Sequence, residues 1–314
     1  MKHVVVLFET GEIRELQAVA LQVTNIPEKQ ACFHCKISRE KYLERVNKLL
    51  AHIKRGDIYE INYCLEFFAE DIEINPHKVF SHLKDLTEAP FAGLYKNGDT
   101  WIICASPERF IKKEGNKLIT QPMKGTAKRG RTAEEDERLK NDLQKSLKEQ
   151  TENVMAVDVA RNDLSIIAKK GTVVTNELFG VQTFRNVHQM VSTVSCELKE
   201  NTSLQDVLKA VFPPASMTGA PKIKAVELIK KYELSDRGIY SGCLGRVEEN
   251  GDLDLSVVIR TIIYDERKKR VSFHVGSAIT AACNPAEEWE ECLLKANAML
   301  LALGTNKEEV KFGA

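Results

Sequence analysis

Two charged side chains between residues 106 and 128, a carboxylate and an amine, could carry out acid–base and nucleophilic chemistry. Glu108 lies in Ser-Pro-Glu-Arg-Phe, and Lys124 lies in Gln-Pro-Met-Lys-Gly-Thr-Ala-Lys. A lysine between an apolar residue and a glycine can lose part of its solvation and become a nucleophile, and a nearby glutamate can act as general acid. The alternative, which spacing alone favours, is that both are solvated surface charges.

Two short strands would position this pair. An apolar β-type run over 101–104 ends at a proline, and a Gly-Asn turn at 115–116 precedes a second strand over 117–120. In such a hairpin we expect Glu108 and Lys124 to face one cavity.

Four glutamates have the spacing of two acidic helix faces. Glu149 and Glu152 are three residues apart on one predicted helix, and Glu288 and Glu291 are three apart on another. If the helices meet, the carboxylates need a cation, and an all-oxygen set favours Mg²⁺ over Zn²⁺. The alternative is two solvated faces, with Glu291 and Lys295 as an ordinary i, i+4 ion pair.

Three further positions have two interpretations each. Arg260 lies among apolar residues in a predicted strand over 253–264, so it either binds a carboxylate or reaches solvent. His188, in a predicted strand over 187–196, is either a catalyst or, as is more typical, a hydrogen-bonded core or rim residue. The amides after Thr218 begin a helix, where they either face an anion or are an ordinary capped start.

The rest of the pattern alternates helices with hairpin-connected strands. Capping residues and apolar periodicity predict helices that begin near Ser38, Pro76, Thr132, Ser203 and Asn284. Asn-Gly pairs predict hairpin turns at 97–98 and 250–251, and a strand from 270 is predicted to end at 276–277. No repeat or flexible linker interrupts the chain. The predicted class is α+β, with largely antiparallel sheet in one continuous domain.

Composition excludes several function classes. The 314 residues include 45 basic and 45 acidic side chains, so no net charge favours nucleic acid or an anionic membrane. No segment has the apolar length of a membrane span or the features of a secretory signal, so we expect the cytosol. Eight scattered cysteines, with one Cys-x-x-Cys at 32–35, predict small buried hydrophobes rather than a zinc site.

Taken in order, these pieces resemble the chorismate-utilising enzymes, and among them the aminodeoxychorismate synthase component I subfamily. The matching segments are 56–62, 106–110, 122–126, 152–164, 187–193, 217–222, 240–245, 259–261 and 288–291. The resemblance implies two packed, largely antiparallel sheets flanked by helices. It also implies a catalytic domain over 38–303, after a shortened N-terminal segment over 1–37 and before a tail over 304–314.

The resemblance implies a ligand for each of the polar positions. Mg²⁺ would be held by Glu152 and Glu291, supported by Glu149 and Glu288. It would bind the ring carboxylate of chorismate with help from the backbone at Gly125 and Thr126. Thr218 belongs to the same substrate-binding set. The enolpyruvyl carboxylate would be bound by side chains and amides of five residues, namely Tyr240, Arg260, Lys295, Gly276 and Ser277.

The resemblance also implies a reaction that depends on position 124. Relatives similar to anthranilate synthase have a small residue there, whereas lysine is typical of aminodeoxychorismate synthases. Lys124 would add to the ring while Glu108 protonates the leaving 4-hydroxyl, and ammonia would then displace the lysine. For this reaction Glu108 must be protonated and Lys124 must be neutral. Each is the opposite of the group's usual state at neutral pH, so the protein must shift both pKa values. His188 would have a supporting role near the ring.

Three departures from the family pattern qualify this interpretation. One is the family's glycine run near the substrate, which reads Gly-Ser-Ala at 276–278 here. Isochorismate and salicylate synthases place a lysine base where Glu60 stands here, and amine-transferring relatives usually have glutamine there, so the role of Glu60 is open. About 37 residues precede the first match, so we expect no feedback by tryptophan and a less certain docking of a glutaminase subunit. The alternative activities are anthranilate or isochorismate formation, or chorismate binding without turnover.

Overall fold

The computed structural model describes residues 3–7, 13–18, 32–185 and 187–313. Most of the predicted N-terminal segment, at 1–2, 8–12 and 19–31, lies outside the described residues. The helices are α1 (Arg39–Lys54), α2 (Pro76–Thr87), α3 (Ala133–Lys145), α4 (Leu147–Ile167), α5 (Leu204–Val211), α6 (Lys222–Tyr232) and α7 (Pro285–Ala302).

The strands lie between these helices along the chain, and most of them are short. They are β1 (His3–Leu7), β2 (Ile13–Ala18), β3 (His34–Cys35), β4 (Glu60–Ala69), β5 (Phe91–Asn97), β6 (Thr100–Ser106), β7 (Arg109–Glu114), β8 (Lys117–Thr120), β9 (Met123–Lys128), β10 (Val174–Thr183), β11 (Val187–Glu197), β12 (Gly219–Ala220), β13 (Cys243–Val247), β14 (Leu253–Val257), β15 (Thr261–Asp265), β16 (Arg270–Thr280) and β17 (Lys311–Phe312).

The strands form two sheets that share β2. The first sheet has the order β2–β1–β13–β14–β7–β8–β11–β10, and β9 continues beyond β8 along β11. The second sheet has the order β2–β5–β6–β15–β16–β4–β3–β17, and β12 pairs with β4. Every pairing is antiparallel except that of β3 with β17, which confirms the predicted α+β class.

Apolar faces of the helices cover the outer faces of both sheets. Leu49 of α1 and Trp289 of α7 pack with Phe273 of β16 in the larger core, and Leu164 of α4 packs with Val194 of β11 in the second. A third, small cluster joins β6 to β13 and the segment after β14, so the two sheets also meet each other. Burial of apolar side chains in these clusters is the main stabilising term of the fold.

Side-chain caps begin the helices where the sequence predicts them. Ser38 Oγ accepts a hydrogen bond from the amide of Lys41, and Asn284 Oδ1 accepts one from the amide of Ala286. Ser146 separates α3 from α4 and accepts the amide hydrogen of Glu149 at 3.4 Å. These caps satisfy amides that have no partner within the helix. The last one also fixes the turn of α4 that carries Glu149.

Two strand predictions are wrong. The segment over 253–264 is not one strand, because β14 lies in the first sheet and β15 in the second, and the chain crosses between them at 258–260. Arg260, at φ +50°, lies in this crossover. The strand from 270 does not end at Gly276, since β16 continues to Thr280. A Cβ at Gly276 would lie 2.6 Å from Cys64 Sγ, so this glycine permits close packing on β4.

The cysteines and helices agree with the compositional expectations. Six of the eight thiols are buried, and no disulfide joins any of the eight, all of which the structure describes. Within the described ranges, every helix is too short or too polar to cross a membrane.

Candidate active site

Lys124 lies in β9 at the place where the two sheets face each other. Its side chain is 9% exposed, and its ammonium group forms an ion pair with Glu60, which begins β4 of the opposite sheet and is 3% exposed. The predicted alternative, a solvated surface lysine, is therefore wrong. The sequence did not reveal this partner, because Glu60 and Lys124 are far apart in the chain and belong to different sheets.

Three carboxylates determine the charge of Lys124. Burial alone would lower the pKa of the ammonium group. The negative charges of Glu60, Glu152 and Glu108 outweigh that effect, and the pKa of Lys124 lies above its ordinary value. The lysine is therefore an ammonium ion in this structure, and it must lose a proton before it can act as a nucleophile.

Glu108 occupies the bend between β6 and β7 and is 4% exposed. The hydroxyl of Ser216 donates a 2.6 Å hydrogen bond to its Oε1, and the main-chain N–H of Met123 also bonds the carboxylate. Burial outweighs these bonds and the charge of Lys124, and raises the pKa of Glu108 to about 7. A carboxyl group with this pKa can donate a proton at neutral pH.

Ser216 was not identified from the sequence, which pointed to Thr218 instead. The Thr218 hydroxyl donates to the carbonyl oxygen of Pro214 at 3.3 Å, so it closes its own turn. Ser216 lies in the 3₁₀ turn Ala215–Met217. Nothing in residue type or spacing distinguishes the two hydroxyls, because the difference arises from which one the turn directs toward Glu108.

A buried ion pair fixes this turn. Lys222 Nζ lies 2.5 Å from Asp163 of α4 and donates to the carbonyl oxygens of Val211 and Pro213 at 3.0 and 2.7 Å. Burial raises the pKa of Asp163 to about 6, against the effect of Lys222. The contact joins α4 and α6 to the segment that presents Ser216.

The four predicted metal ligands lie on α4 and α7, which face the same cleft. Burial, the first cause, raises the pKa of Glu149, Glu152 and Glu288, and that of Glu152 reaches about 7. Repulsion between carboxylates raises these pKa values further, because the charge of Glu291 acts on both Glu149 and Glu288. The two helices therefore bring their acidic faces together, and the alternative of two separate solvated faces is wrong.

Lysines neutralise part of this acidic cluster. Lys295 Nζ lies 2.5 Å from Glu291, and Lys148 Nζ lies 3.8 Å from Glu288. Burial favours protonation of Glu291, but the charge of Lys295 prevails and lowers the pKa of that carboxyl. The predicted i, i+4 pair thus exists within the cluster rather than on a separate solvated face.

The donor set fits a hard cation. Among the residues that the structure describes, no three acidic, histidine or cysteine side chains converge closely enough to enclose a metal ion. Mg²⁺ does not require such a cage, because it retains several water ligands and binds through one or two carboxylates. Gly125 lets β9 approach this cluster: its φ is +86°, and a Cβ there would lie 2.8 Å from Oε2 of Glu149.

Arg260 and Lys295 place positive charge beside the acidic cluster. Arg260 Nη1 donates to the carbonyl oxygen of Lys295 at 2.8 Å, and Lys295 Nζ donates to the carbonyl oxygen of Gly276 at 2.9 Å. Among the described residues, no carboxylate lies within ion-pair distance of Arg260. The guanidinium group therefore keeps donors that could bind a carboxylate, and that interpretation of Arg260 stays a prediction.

Tyr240 and Ser277 are both buried. The Tyr240 ring stacks on His274 with centroids 5.2 Å apart, and its hydroxyl lies 3.9 Å from Cys64 Sγ. The Ser277 hydroxyl lies 3.2 Å from the hydroxyl of Tyr42. Packing holds both side chains, and their roles in substrate binding stay predictions.

His188 is a buried, hydrogen-bonded residue, as its place in a strand predicts. Its Nε2 lies 3.0 Å from Asp136 of α3, and its Nδ1 lies 2.9 Å from the Thr183 hydroxyl, so both ring nitrogens have partners. The next residue, Gln189, points to the opposite face of β11 and bonds the Gly125 carbonyl at 2.7 Å and the Thr126 hydroxyl at 3.0 Å. A role for His188 in the chemistry remains a prediction and would act through these contacts.

Comparison with known proteins agrees with this geometry. Residues 12–301 match the family described as chorismate binding enzyme. The chain belongs to this family. It is 38% identical over 288 residues to the chloroplastic aminodeoxychorismate synthase of Arabidopsis thaliana, an alignment that covers 91% of the chain and 31% of that protein. It is 34% identical over 299 residues to aminodeoxychorismate synthase component 1 of Bacillus subtilis, covering 95% of the chain and 63% of that protein.

A solved structure confirms the fold. The crystal structure of anthranilate synthase component I from Streptococcus pneumoniae superposes with a TM-score of 0.78 at 30% sequence identity, over 88% of this chain and 60% of that one. The chain therefore has the fold of chorismate-utilising enzymes, and it spans less than two thirds of the length of these relatives.

Proposed function

We propose that the protein is a transferase that aminates chorismate to 4-amino-4-deoxychorismate, through a covalent intermediate on Lys124. The observation that carries the proposal is the buried pair of an amine and a proton donor: Lys124 at 9% exposure and Glu108 with its pKa raised to about 7. The resemblance to proteins named aminodeoxychorismate synthase supports the substrate.

The charged groups of the cleft suit a dicarboxylate. Arg260 and Lys295 would bind one carboxylate of chorismate by charge-assisted hydrogen bonds. Glu152 and Glu291, with Glu149 and Glu288, would hold Mg²⁺, which when bound neutralises and orients the other carboxylate. The backbone at Gly125 and Thr126, fixed by Gln189, would complete the binding of that carboxylate.

The chain's residues then act in two steps. In the first step, neutral Lys124 adds to a ring carbon, the ring double bonds shift, and the C4–O bond breaks. Glu108 gives its proton to the leaving hydroxyl, which departs as water. In the second step, ammonia adds at C4, the double bonds shift back, and the lysine leaves as a free amine. Glu108 regains its proton from the new ammonium group of the product.

Ammonia is supplied by a glutamine amidotransferase subunit in this proposal. The name component 1 of the Bacillus relative supports a second subunit. The product would serve the formation of 4-aminobenzoate and folate in the cytosol.

A second candidate is direct amination of the ring to anthranilate. The Streptococcus pneumoniae structure, named anthranilate synthase component I and 30% identical to this chain, favours it. The lysine at position 124 argues against it, because a side chain that fills the cleft beside the ring takes the place of the attacking ammonia. Isochorismate formation is disfavoured because Glu60 stands where a lysine base is expected.

Product analysis tests the proposal. The protein is incubated with chorismate, Mg²⁺ and an ammonium salt, and a lyase is added that converts aminodeoxychorismate to 4-aminobenzoate. Chromatography should show 4-aminobenzoate, and anthranilate as the only product would reject the proposal. Lys124→Met should lose the activity, whereas Lys128→Met, an exposed lysine on the same strand, should retain it.

A further inference from the structure

Glu60 occupies a rigid position opposite Lys124. It pairs in register with Ala220 of β12 on one side and with Thr280 of β16 on the other. The backbone there is closely packed, since a Cβ at Gly219 would lie 2.1 Å from the Glu60 carbonyl oxygen. The backbone of Glu60 is thus fixed between two neighbouring strands, and its carboxylate contacts the lysine.

The proposed reaction needs an acceptor for a lysine proton. The charged groups that act most strongly on Lys124 are carboxylates: Glu60 from β4, Glu152 from α4 and Glu108 from the β6–β7 bend. Glu149 of α4 and Glu291 of α7 also interact with its charge. Glu108 must keep its own proton for the leaving hydroxyl, and Glu152 belongs to the proposed metal site. Among the described residues, Glu60 alone lies within ion-pair distance of Nζ.

We propose that Glu60 is the catalytic base that accepts the ammonium proton of Lys124 when substrate enters, an inference that rests on the function proposed above. The proton moves from Nζ to the Glu60 carboxylate, and the freed electron pair forms the bond to the ring. When ammonia later displaces the lysine, Nζ leaves as a neutral amine and takes the proton back from Glu60. Glu60 therefore ends each turnover as a carboxylate.

The surroundings favour this transfer once the cleft is filled. A bound substrate excludes water, and a charged pair loses more stability than a neutral one when its solvent is removed. Proton exchange within one hydrogen bond also needs no solvent base. A glutamine at this position could bind the amine but could not take its proton. The carboxylate therefore gives this chain an internal route to the nucleophile.

Glu60→Gln tests the proposal, because it preserves size and hydrogen bonding but removes the proton acceptor. The protein is mixed with chorismate and Mg²⁺ without ammonia and quenched at several times between pH 6 and 9. The mass of the Lys124 adduct is then measured. At pH 7 the variant should form the adduct about 100-fold more slowly than the wild type, since a general base typically contributes ~10²–10⁴-fold. Its rate should rise about tenfold per pH unit as solvent removes the proton.

Two further variants separate this role from a structural one. Glu60→Asp retains a carboxylate and should lack the steep rise with pH, even if the longer reach makes it slower. Glu66→Gln, on the same strand but paired with Arg270 at 2.6 Å, should have the wild-type pH profile. A Glu60→Gln protein with the wild-type rate and pH profile, or a Glu60→Asp protein with the steep rise, would overturn the role of Glu60 alone. Absence of any adduct in the wild type would overturn the proposed function as well.

Discussion

The hydroxyl of Ser216 donates a 2.6 Å hydrogen bond to Oε1 of Glu108. This bond holds one of the two carboxyl oxygens of Glu108 in place. It also stabilises the carboxylate, so it opposes the burial that raises the pKa of Glu108 to about 7. Ser216 therefore contributes to the pH range in which Glu108, the proposed acid, is protonated.

Ser216→Ala should therefore shift the alkaline limb of amination to higher pH. Glu108 must be protonated to act, so activity falls as pH rises through its pKa, and loss of the hydrogen bond raises that pKa. We also expect kcat to fall about tenfold, since the carboxyl loses its orientation. The measurement is the pH profile of kcat. Ser256→Ala, which removes a buried hydroxyl bonded to the Leu244 carbonyl, is the control, and an identical shift in both variants would contradict the assignment.

Glu152 should make the metal-free protein less stable as pH rises. Burial raises its folded-state pKa to about 7 from the ordinary 4.5, so between these values the folded state holds a proton that the unfolded state has lost. The free energy of unfolding then decreases with pH across this window, by up to about 3 kcal/mol. Glu152→Gln should reduce this decrease, as measured by urea unfolding at pH 5 and 8.

The Glu152→Gln variant also tests whether Glu152 binds Mg²⁺. Mg²⁺ should stabilise the wild type at pH 8, where Glu152 is ionised, and should stabilise Glu152→Gln less. Glu290→Gln, an exposed position on α7, is the control and should behave as the wild type. Equal stabilisation of all three proteins by Mg²⁺ would contradict the assignment of Glu152 to the metal.

Arg260→Lys should weaken chorismate binding about 10- to 100-fold. The guanidinium presents a planar fork, and loss of a charge-assisted bidentate contact typically costs ~1.5–3 kcal/mol. Calorimetric titration with chorismate and Mg²⁺ measures the effect, with the exposed Arg246→Lys as control. An unchanged Kd would show that Arg260 serves only to hold the Lys295 carbonyl.

Lys222→Ala should destabilise the fold by about 3–5 kcal/mol. The change leaves Asp163 buried without its counter-ion and releases two carbonyl oxygens of the turn before Ser216. Lys224→Ala is a matched control on the same helix, because its ion pair with Glu227 is exposed and contributes ~1 kcal/mol or less. Urea unfolding compares the two, and equal losses would contradict a structural role for the Asp163–Lys222 pair.

Local patterns in the sequence were sufficient for much of this fold. Caps such as Ser38 and Asn284 begin helices where they were predicted, because a side-chain cap and its amide partner lie within a few residues. The i, i+3 spacing of the glutamates likewise predicted two acidic helix faces. That these faces meet depends on tertiary packing, which only the family resemblance could supply.

Contacts between distant segments could not be predicted from local patterns. The ion pair of Lys124 with Glu60 joins two sheets, and the Ser216 bond to Glu108 joins residues 108 positions apart. The apolar run around Arg260 has the periodicity of a single strand, but the chain changes sheets there. Each of these features depends on how the sheets stack rather than on neighbouring residue types.

The most direct test of the proposed chemistry is the state of Lys124 in a reaction without ammonia. Protein is mixed with chorismate and Mg²⁺, quenched in acid, digested and analysed by peptide mass spectrometry, with Lys124→Met as the control. The proposed mechanism predicts that the peptide containing Lys124 gains the mass of chorismate less one water, and that the variant gains nothing. An unmodified Lys124 in protein that still makes 4-amino-4-deoxychorismate when ammonia is added would contradict it.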